Sequence, residues 1–146
     1  MQQFERADFR IEEFVEDEHY GKFVVEPLER GFGTTLGNAI RRVLLSAMPG
    51  GAVYSIKIDN VFHEFTAIPG VVEDVTAIIL NIKDMILDID DDTHTLRLDA
   101  VGPKTVTAGD IEYPAGVTCL NPELVIAHVA EGGKLEMELR ARKGRG

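Results

Sequence analysis

Two blocks with helical periodicity interrupt a chain that is otherwise patterned for β-strands. In each block apolar residues recur every three or four positions, which places them along one face of a helix. The apolar positions of the first block are Leu36, Ala39, Ile40, Val43, Leu44 and Ala47. Those of the second, which opens at Ile68-Pro69-Gly70, are Val71, Val72, Val75, Ile78, Ile79 and Ile82. Because strands and helices do not alternate regularly, the order favours an α+β fold with mixed or antiparallel sheets and two principal helices over a doubly wound parallel sheet.

The remaining segments show the alternation of apolar and polar residues that is typical of strands. Residues 9–26 predict a β-hairpin whose acidic turn includes His19. A strand that follows the first helix is expected to bury three alternating residues, Tyr54, Ile56 and Ile58. Further predictions are a short strand over 61–65, a hairpin over 85–100, short strands and turns over 101–122, a short apolar segment over 124–129 and a final strand over 135–141.

Glycine, threonine and proline mark the predicted ends of the first helix. Gly31 and Gly33 predict a tight turn before it. Thr34 or Thr35 is expected to cap its N-terminus, since a hydroxyl oxygen there accepts a free backbone N–H. The Met-Pro-Gly-Gly run at 48–51 is expected to end the helix and to mark a boundary between two domains.

Composition excludes several classes of protein. A formal net charge of −10 argues against attraction of the whole surface to nucleic acid, because such binding depends on clustered lysine and arginine. With Cys119 as its one cysteine, the chain cannot form an internal disulfide, which fits a reducing compartment. The N-terminus lacks the apolar run of a signal peptide, and no stretch is apolar enough to span a membrane. The expected location is the cytoplasm.

Three short motifs resemble chemical sites, but each lacks a required residue. Gly31-Phe32-Gly33 could cradle a phosphate at a helix N-terminus, so a nucleotide- or small-molecule-binding α+β domain is the alternative function. Its third glycine, Gly37, is one position late for a dinucleotide fingerprint. His63-Glu64 begins a zinc-protease motif whose second histidine would fall at Ala67, and the aspartates at 90–92 lack the spaced ligands of a calcium loop. No catalytic residue, metal site or cofactor is predicted.

The first helix has an unusual outer face. Leu45 lies about 180° from Leu36, and Asn38, Arg41 and Arg42 flank it. An apolar residue between two arginines suits a protein interface, since arginine binds carboxylates in a bidentate manner. An ordinary solvated face with one stray leucine is an equally good interpretation of the pattern. The second helix repeats the arrangement more weakly, with Leu80 on its outer face.

The C-terminal segment is basic. Arg140, Arg142, Lys143 and Arg145 could contact nucleic acid, but a solvated strand edge is the better interpretation. The local sequence has no interleaved aromatic residue on which a base could stack.

Six sequence blocks together identify a family. Residues 25–50 run VEPLERGFGTTLGNAIRRVLLSAMPG, and this long block closely resembles the signature of bacterial RNA polymerase α subunits. The resemblance continues, in order, through IDNVFHEF at 58–65, GVVEDV at 70–75, VTAGDI at 106–111, LNP at 120–122 and KGRG at 143–146. It therefore covers nearly the whole chain and is weakest over 85–100 and 112–118.

The resemblance implies a non-catalytic assembly subunit of DNA-directed RNA polymerase, with no cofactor of its own. Residues 1–50 would be the N-terminal part of a dimerisation domain, and 51–146 most of an inserted β-rich domain. The implied partners are the β and β′ subunits and a second α chain. The returning half of the dimerisation domain and the promoter-binding domain would lie beyond Gly146. This segment alone is then expected to dimerise poorly and to make no direct contact with DNA.

The resemblance also implies residue roles. Arg42 matches an arginine that the family needs for binding β, and Leu45 matches a nearby contact. The strip from His63 to Gly70 matches a second contact with β, and the region of Lys83 matches the approach to β′. The implied β interface comprises Arg30, Gly33, Asn38, Arg41, Arg42, Leu45, His63, Glu64, Phe65 and Gly70. The implied β′ interface comprises Leu80 and Lys83.

Overall fold

The computed structural model describes residues 6–18 and 20–145. The chain divides into two compact units between Ser46 and Ala47, here called the N-terminal and C-terminal units. Each unit is described by itself. His19, in the predicted hairpin turn, lies outside the described residues.

The N-terminal unit begins with the predicted hairpin. Strand β1 (Asp8–Val15) pairs antiparallel with β2 (Tyr20–Glu26), which confirms the hairpin. The rings of Phe9 and Phe23 stack across the pair with centroids 5.5 Å apart. Both rings are nevertheless at least half exposed, so the hairpin has an apolar face with no cover among the described residues.

Helix α1 (Phe32–Ser46) follows, and it corrects two expectations. Thr34 and Thr35 do not cap it, because a turn in which Phe32 N donates to Glu29 O at 3.0 Å already starts the helix before them. The apolar stripe is not in a core either: no residue of α1 is buried, and Leu44 is 57% exposed. An amphipathic helix buries its stripe only against another apolar surface, and the described part of this unit places none there.

The C-terminal unit is built on a five-stranded antiparallel sheet in the order β5-β9-β3-β4-β7. Its strands are β3 (Pro49–Ile58), β4 (Leu87–Ile89), β5 (His94–Val101), β7 (Val117–Cys119) and β9 (Lys134–Arg145). A separate pair joins β6 (Lys104–Thr107) to β8 (Val125–Val129). Helix α2 (Val75–Lys83) and a 3-10 turn (Ala108–Asp110) complete the unit. Two helices with largely antiparallel strands confirm the α+β fold class.

The core of this unit follows the alternation seen in the sequence. Leu135, Met137, Leu139 and Ala141 of β9 are buried, as are Leu96, Leu98 and Ala100 of β5. Helix α2 covers the core with Val75, Ile78 and Ile82. The alternation over 96–100 and 135–141, and the inward positions Val75, Ile78 and Ile82 of the second helix, are therefore confirmed.

The predicted hairpin over 85–100 is wrong. Strands β4 and β5 follow each other in the chain but do not pair: β4 lies between β3 and β7, and β5 lies beside β9. The alternation of each strand is correct, but the choice of partner is set by distant segments. Alternation indicates which face is buried and does not indicate the neighbour.

Three further local features of the C-terminal unit differ from the sequence prediction. Residues 61–65 form a loop and not a strand, and helix α2 begins at Val75, where Asp74 caps it through Ala77 N at 2.7 Å. Val71 and Val72 therefore precede the helix. In β3 a bulge between Val53 and Ser55 turns Tyr54 outward to 49% exposure, although Ile56 and Ile58 face inward. A bulge adds one residue and so reverses the alternation beyond it.

Candidate docking surfaces

The outer face of α1 is fully available to a partner. Arg41, Arg42 and Leu45 are all exposed, and Leu45 is 59% exposed. Among the described residues, neither arginine forms an ion pair. The Ser46 hydroxyl donates to Arg42 O at 2.5 Å and completes the last turn. Two guanidinium groups beside an exposed leucine can bind carboxylates and an apolar side chain together.

The turn that precedes α1 is exposed to solvent. Gly31 has a φ of +91°, which is the left-handed region that glycine adopts without strain. A Cβ added at Gly31 or Gly33 would meet no atom within 4 Å. Arg30, Gly33 and Asn38 are exposed alongside this turn and the first helical turns. The backbone conformation at Gly31 therefore explains the glycine in this turn. The described residues do not enclose the turn as a nucleotide-binding pocket would.

In the C-terminal unit, the loop 61–74 presents aromatic side chains. Phe62 is 96% exposed and Phe65 is 79% exposed. The Thr66 hydroxyl donates to His63 O at 2.9 Å, and the Thr76 hydroxyl of α2 donates to Glu64 O at 2.9 Å. The loop is thus held by its backbone while its rings project into solvent. Phe62 was not singled out in the sequence, although the block IDNVFHEF contains it.

Gly70 holds the far end of this loop against the turn that joins β8 to β9. Its φ of +77° favours glycine, and a Cβ there would lie 2.6 Å from Gly133 Cα. Ala130 N donates to Gly70 O at 2.8 Å. The predicted contact position Gly70 is therefore fixed by a close backbone approach that no side chain could share.

A carboxylate and an imidazole join the same loop to β8. Glu73 accepts from His128 N at 2.6 Å and lies 2.6 Å from His128 Nδ1 through its other oxygen. Partial burial raises the pKa of Glu73, but the hydrogen bonds from His128 outweigh it, so this pKa lies below its usual value. The pair is 55 positions apart in sequence, so local patterns gave no signal of it.

The low pKa of Glu73 predicts a specific dependence of stability on pH. A carboxyl group whose pKa is depressed by folding stabilises the native state above its unfolded pKa, about 4.5, and loses that contribution as pH falls through the folded value. Urea unfolding at pH 7 and pH 3 should therefore show that Glu73→Gln is destabilised relative to the wild type by more at pH 7 than at pH 3. The variant Leu120→Ala, which removes no ionised group, should differ equally at both values. An equal difference at both pH values for Glu73→Gln would contradict the assignment.

The outer face of α2 contains the remaining predicted contacts. Leu80 is 56% exposed, and Lys83 lies in the last turn with its side chain at the surface. Asn81 Nδ2 donates to Ile126 O at 2.8 Å and fixes the helix against β8. Leu80 and Lys83 therefore lie on a helix whose orientation within the unit is set by both packing and a hydrogen bond.

At the basic end of β9 the structure adds an aromatic residue that the local sequence did not indicate. The Arg142 guanidinium lies 4.8 Å from the centroid of the Tyr54 ring, which the β3 bulge turns outward. Lys143 instead pairs with Asp91 at 3.0 Å. The local sequence of this segment contains no aromatic residue, and the tyrosine beside Arg142 comes from the neighbouring strand β3.

The structure brings the predicted site residues together in two groups. The α1 group lies in the N-terminal unit, and the loop 61–74 and the outer face of α2 lie in the C-terminal unit. Within 6–18 and 20–145, no three His, Cys, Asp or Glu side chains are grouped so that they could hold a metal ion. Neither described helix has the length and hydropathy needed to cross a membrane.

Comparison with known proteins gives concordant matches. Residues 56–146 match the family described as the RNA polymerase Rpb3/RpoA insert domain. The DNA-directed RNA polymerase subunits alpha of Alkaliphilus metalliredigens and Carboxydothermus hydrogenoformans are each 54% identical over 147 residues. That of Leuconostoc mesenteroides subsp. mesenteroides is 56% identical over the same length. All three alignments cover 100% of this chain and 46–47% of the relative, so the chain spans about half the length of the curated relatives it matches.

Proposed function

The chain belongs to the bacterial RNA polymerase α-subunit family, and from this premise we propose that it is a non-catalytic subunit on which the β and β′ subunits of DNA-directed RNA polymerase assemble. The main supporting observation is α1, an amphipathic helix with no buried residue, whose outer face has two arginines that form no ion pair with any residue of 6–18 or 20–145. A helix of this kind is stable in water only when another surface covers it. The polymerase complex, not this chain, would perform nucleotidyl transfer in the cytoplasm.

The β subunit is proposed to dock on α1 and on the loop 61–74. On α1 the contacts are Arg30, Gly33, Asn38, Arg41, Arg42 and Leu45. In the loop they are His63, Glu64, Phe65 and Gly70. Exposed aromatic rings and arginines are the side chains that interfaces favour most, which supports this assignment.

The β′ subunit is proposed to approach the outer face of α2. Leu80 provides an exposed apolar contact and Lys83 a positive charge beside it. Residues 1–50 are proposed to be the N-terminal part of a dimerisation domain, and residues 51–146 most of an inserted β-rich domain. The boundary between the N-terminal and C-terminal units, at Ser46 and Ala47, lies a few residues earlier. A second α chain is then the third proposed partner, and the segment itself makes no direct contact with DNA.

Removing the Arg42 side chain should weaken capture of β. In the full natural chain, Arg42→Ala is expected to raise the dissociation constant for purified β about tenfold or more, since a central interface arginine contributes at least about 1.4 kcal/mol. The measurement is a titration of β by biolayer interferometry. Arg10→Ala is the matched control: Arg10 is also an exposed arginine of the same unit, and its ion pair with Glu26 contributes little to stability.

Two outcomes would reject this proposal. Unchanged affinity of Arg42→Ala would remove the assigned role of α1, and equal losses for Arg42→Ala and Arg10→Ala would indicate a nonspecific effect of charge. The alternative function, nucleotide binding at the Gly31–Gly33 turn, has no supporting observation among the described residues. Heat released on titration of the chain with a nucleotide would support this alternative function.

A further inference from the structure

We propose that Glu73 and His128 are positioning residues, whose hydrogen-bonded pair holds the loop 61–74 in the geometry that the β subunit binds. This inference rests on the proposed function, because it concerns the same docking loop. It assigns a role to two residues that do not belong to the docking surface implied by the resemblance.

Several contacts tie the end of the loop to β8 and to the turn after it. Glu73 uses both carboxylate oxygens on His128, one on the backbone N–H and one on the imidazole Nδ1. Beside the pair, Val72 N donates to His128 O at 2.9 Å, and Val71 forms an isolated antiparallel bridge with Val129. The segment just before α2 therefore lies against β8, joined to it by one isolated bridge and the backbone hydrogen bond from Val72.

The Glu73 carboxylate adds a side-chain attachment to the backbone contact at Gly70. Gly70 and Gly133 approach so closely that neither could have a Cβ without displacing the other. That contact depends on backbone groups alone. Of the two ionisable side chains that join the loop to β8, Glu73 is the less exposed, with its side chain 18% exposed against 51% for His128.

The geometry favours positioning over direct contact. Each oxygen of Glu73 already accepts or shares one hydrogen bond with His128, and the side chain is only 18% exposed, so little of the carboxylate is accessible to a partner. Phe62 and Phe65 lie on the same loop with their rings in solvent. Ordering a loop on binding lowers affinity, so a loop that is already held in place binds more tightly through the same rings.

The decisive experiment measures capture of purified β by the full natural chain in three variants. Glu73→Ala loses both hydrogen bonds and should bind about tenfold more weakly, as expected for hydrogen bonds to a charged group. His128→Ala keeps the backbone donor and should lose less. His128→Asn should stay within about twofold of the wild type, because an asparagine Nδ2 can replace the imidazole Nδ1 as donor.

Hydrogen exchange separates local positioning from general damage. In Glu73→Ala, the amide of Val72 should lose protection, while amides in the β5–β9 ladder, such as that of Leu98, should keep theirs. Loss of protection throughout the β5–β9 ladder would overturn the proposal, since the pair would then serve stability alone. Equal losses of affinity for His128→Asn and His128→Ala would overturn it as well.

Phe65→Ala distinguishes failure of this inference from failure of the proposed function. If Phe65→Ala and Arg42→Ala both leave capture unchanged, the docking assignment itself is wrong. If Phe65→Ala weakens capture but Glu73→Ala does not, the docking loop stands and its attachment through Glu73 is rejected.

Discussion

Replacing Leu139 by alanine is expected to lower the free energy of unfolding of the C-terminal unit by about 3 kcal/mol, within the range found for leucine truncations in protein cores. Leu139 is fully buried at the centre of β9. It lies between Ile56 of β3 and Leu96 of β5 in the two ladders, so neighbours on both sides would face the cavity. Urea unfolding followed by circular dichroism measures the change, with the slope against urea expected to stay constant.

Leu120→Ala is the matched control for this prediction. Leu120 is 59% exposed, so the same truncation removes little buried area there. A loss within about 0.5 kcal/mol is expected at this surface position. Comparable losses at Leu139 and Leu120 would show that the sheet centred on β9 is not the core of the unit.

The same two strands show how far the sequence can predict the fold. Strands β5 and β9 are long and alternate without interruption, so their buried faces could be read from residues 96–100 and 135–141. Strand β3 could not be read in this way, because the bulge at Tyr54 depends on how β9 pairs with it. The helix α2 was found through its stripe, but its start depends on the cap at Asp74 and not on the proline and glycine before it.

Pairing between distant segments was the main part of the fold that the sequence could not supply. Strands β4 and β5 are adjacent in the chain and contain clear alternation, yet each pairs with a strand far away. The stripe of α1 was correctly periodic, but periodicity cannot tell whether a covering surface is present. Both errors have one origin: a local pattern specifies a face, and the rest of the molecule or a partner specifies what covers it.

The prediction of the candidate site was limited in the same way, because local sequence indicates residue types and not tertiary contacts. Residue types and the signature block identified Arg42, Leu45 and the strip from His63 to Gly70. The pair of Glu73 and His128 required the fold, since 55 positions separate them. Local sequence therefore predicted the residues that could contact a partner, and tertiary structure was needed to find those that position them.

Gly102→Ala is expected to destabilise the C-terminal unit by about 3 kcal/mol, at the upper end of the usual range for overpacking. A Cβ on Gly102 would overlap the carbonyl oxygen of Ala130 and would lie 2.9 Å from Val129 Cγ1. The obstacle is mostly backbone, which cannot turn aside as a flexible side chain can. The shift would also disturb the hydrogen bond from Gly102 N to Gly133 O, now 2.9 Å long, and with it the β8–β9 turn that holds Gly70.

The matched control is Gly144→Ala in β9, where a Cβ would meet no atom within 4 Å. That variant should unfold within about 0.5 kcal/mol of the wild type. The two variants make the same chemical change, so the difference between their urea midpoints isolates the close approach at Gly102 from any general effect of replacing glycine. Since Gly102 contacts the β8–β9 turn, against which Gly70 of the docking loop lies, Gly102→Ala should also expose the Val72 amide to exchange, whereas Gly144→Ala should leave that amide protected. Equal midpoints would mean that the chain relaxes around Gly102 at little cost, and that its contact with the turn is looser than the geometry indicates.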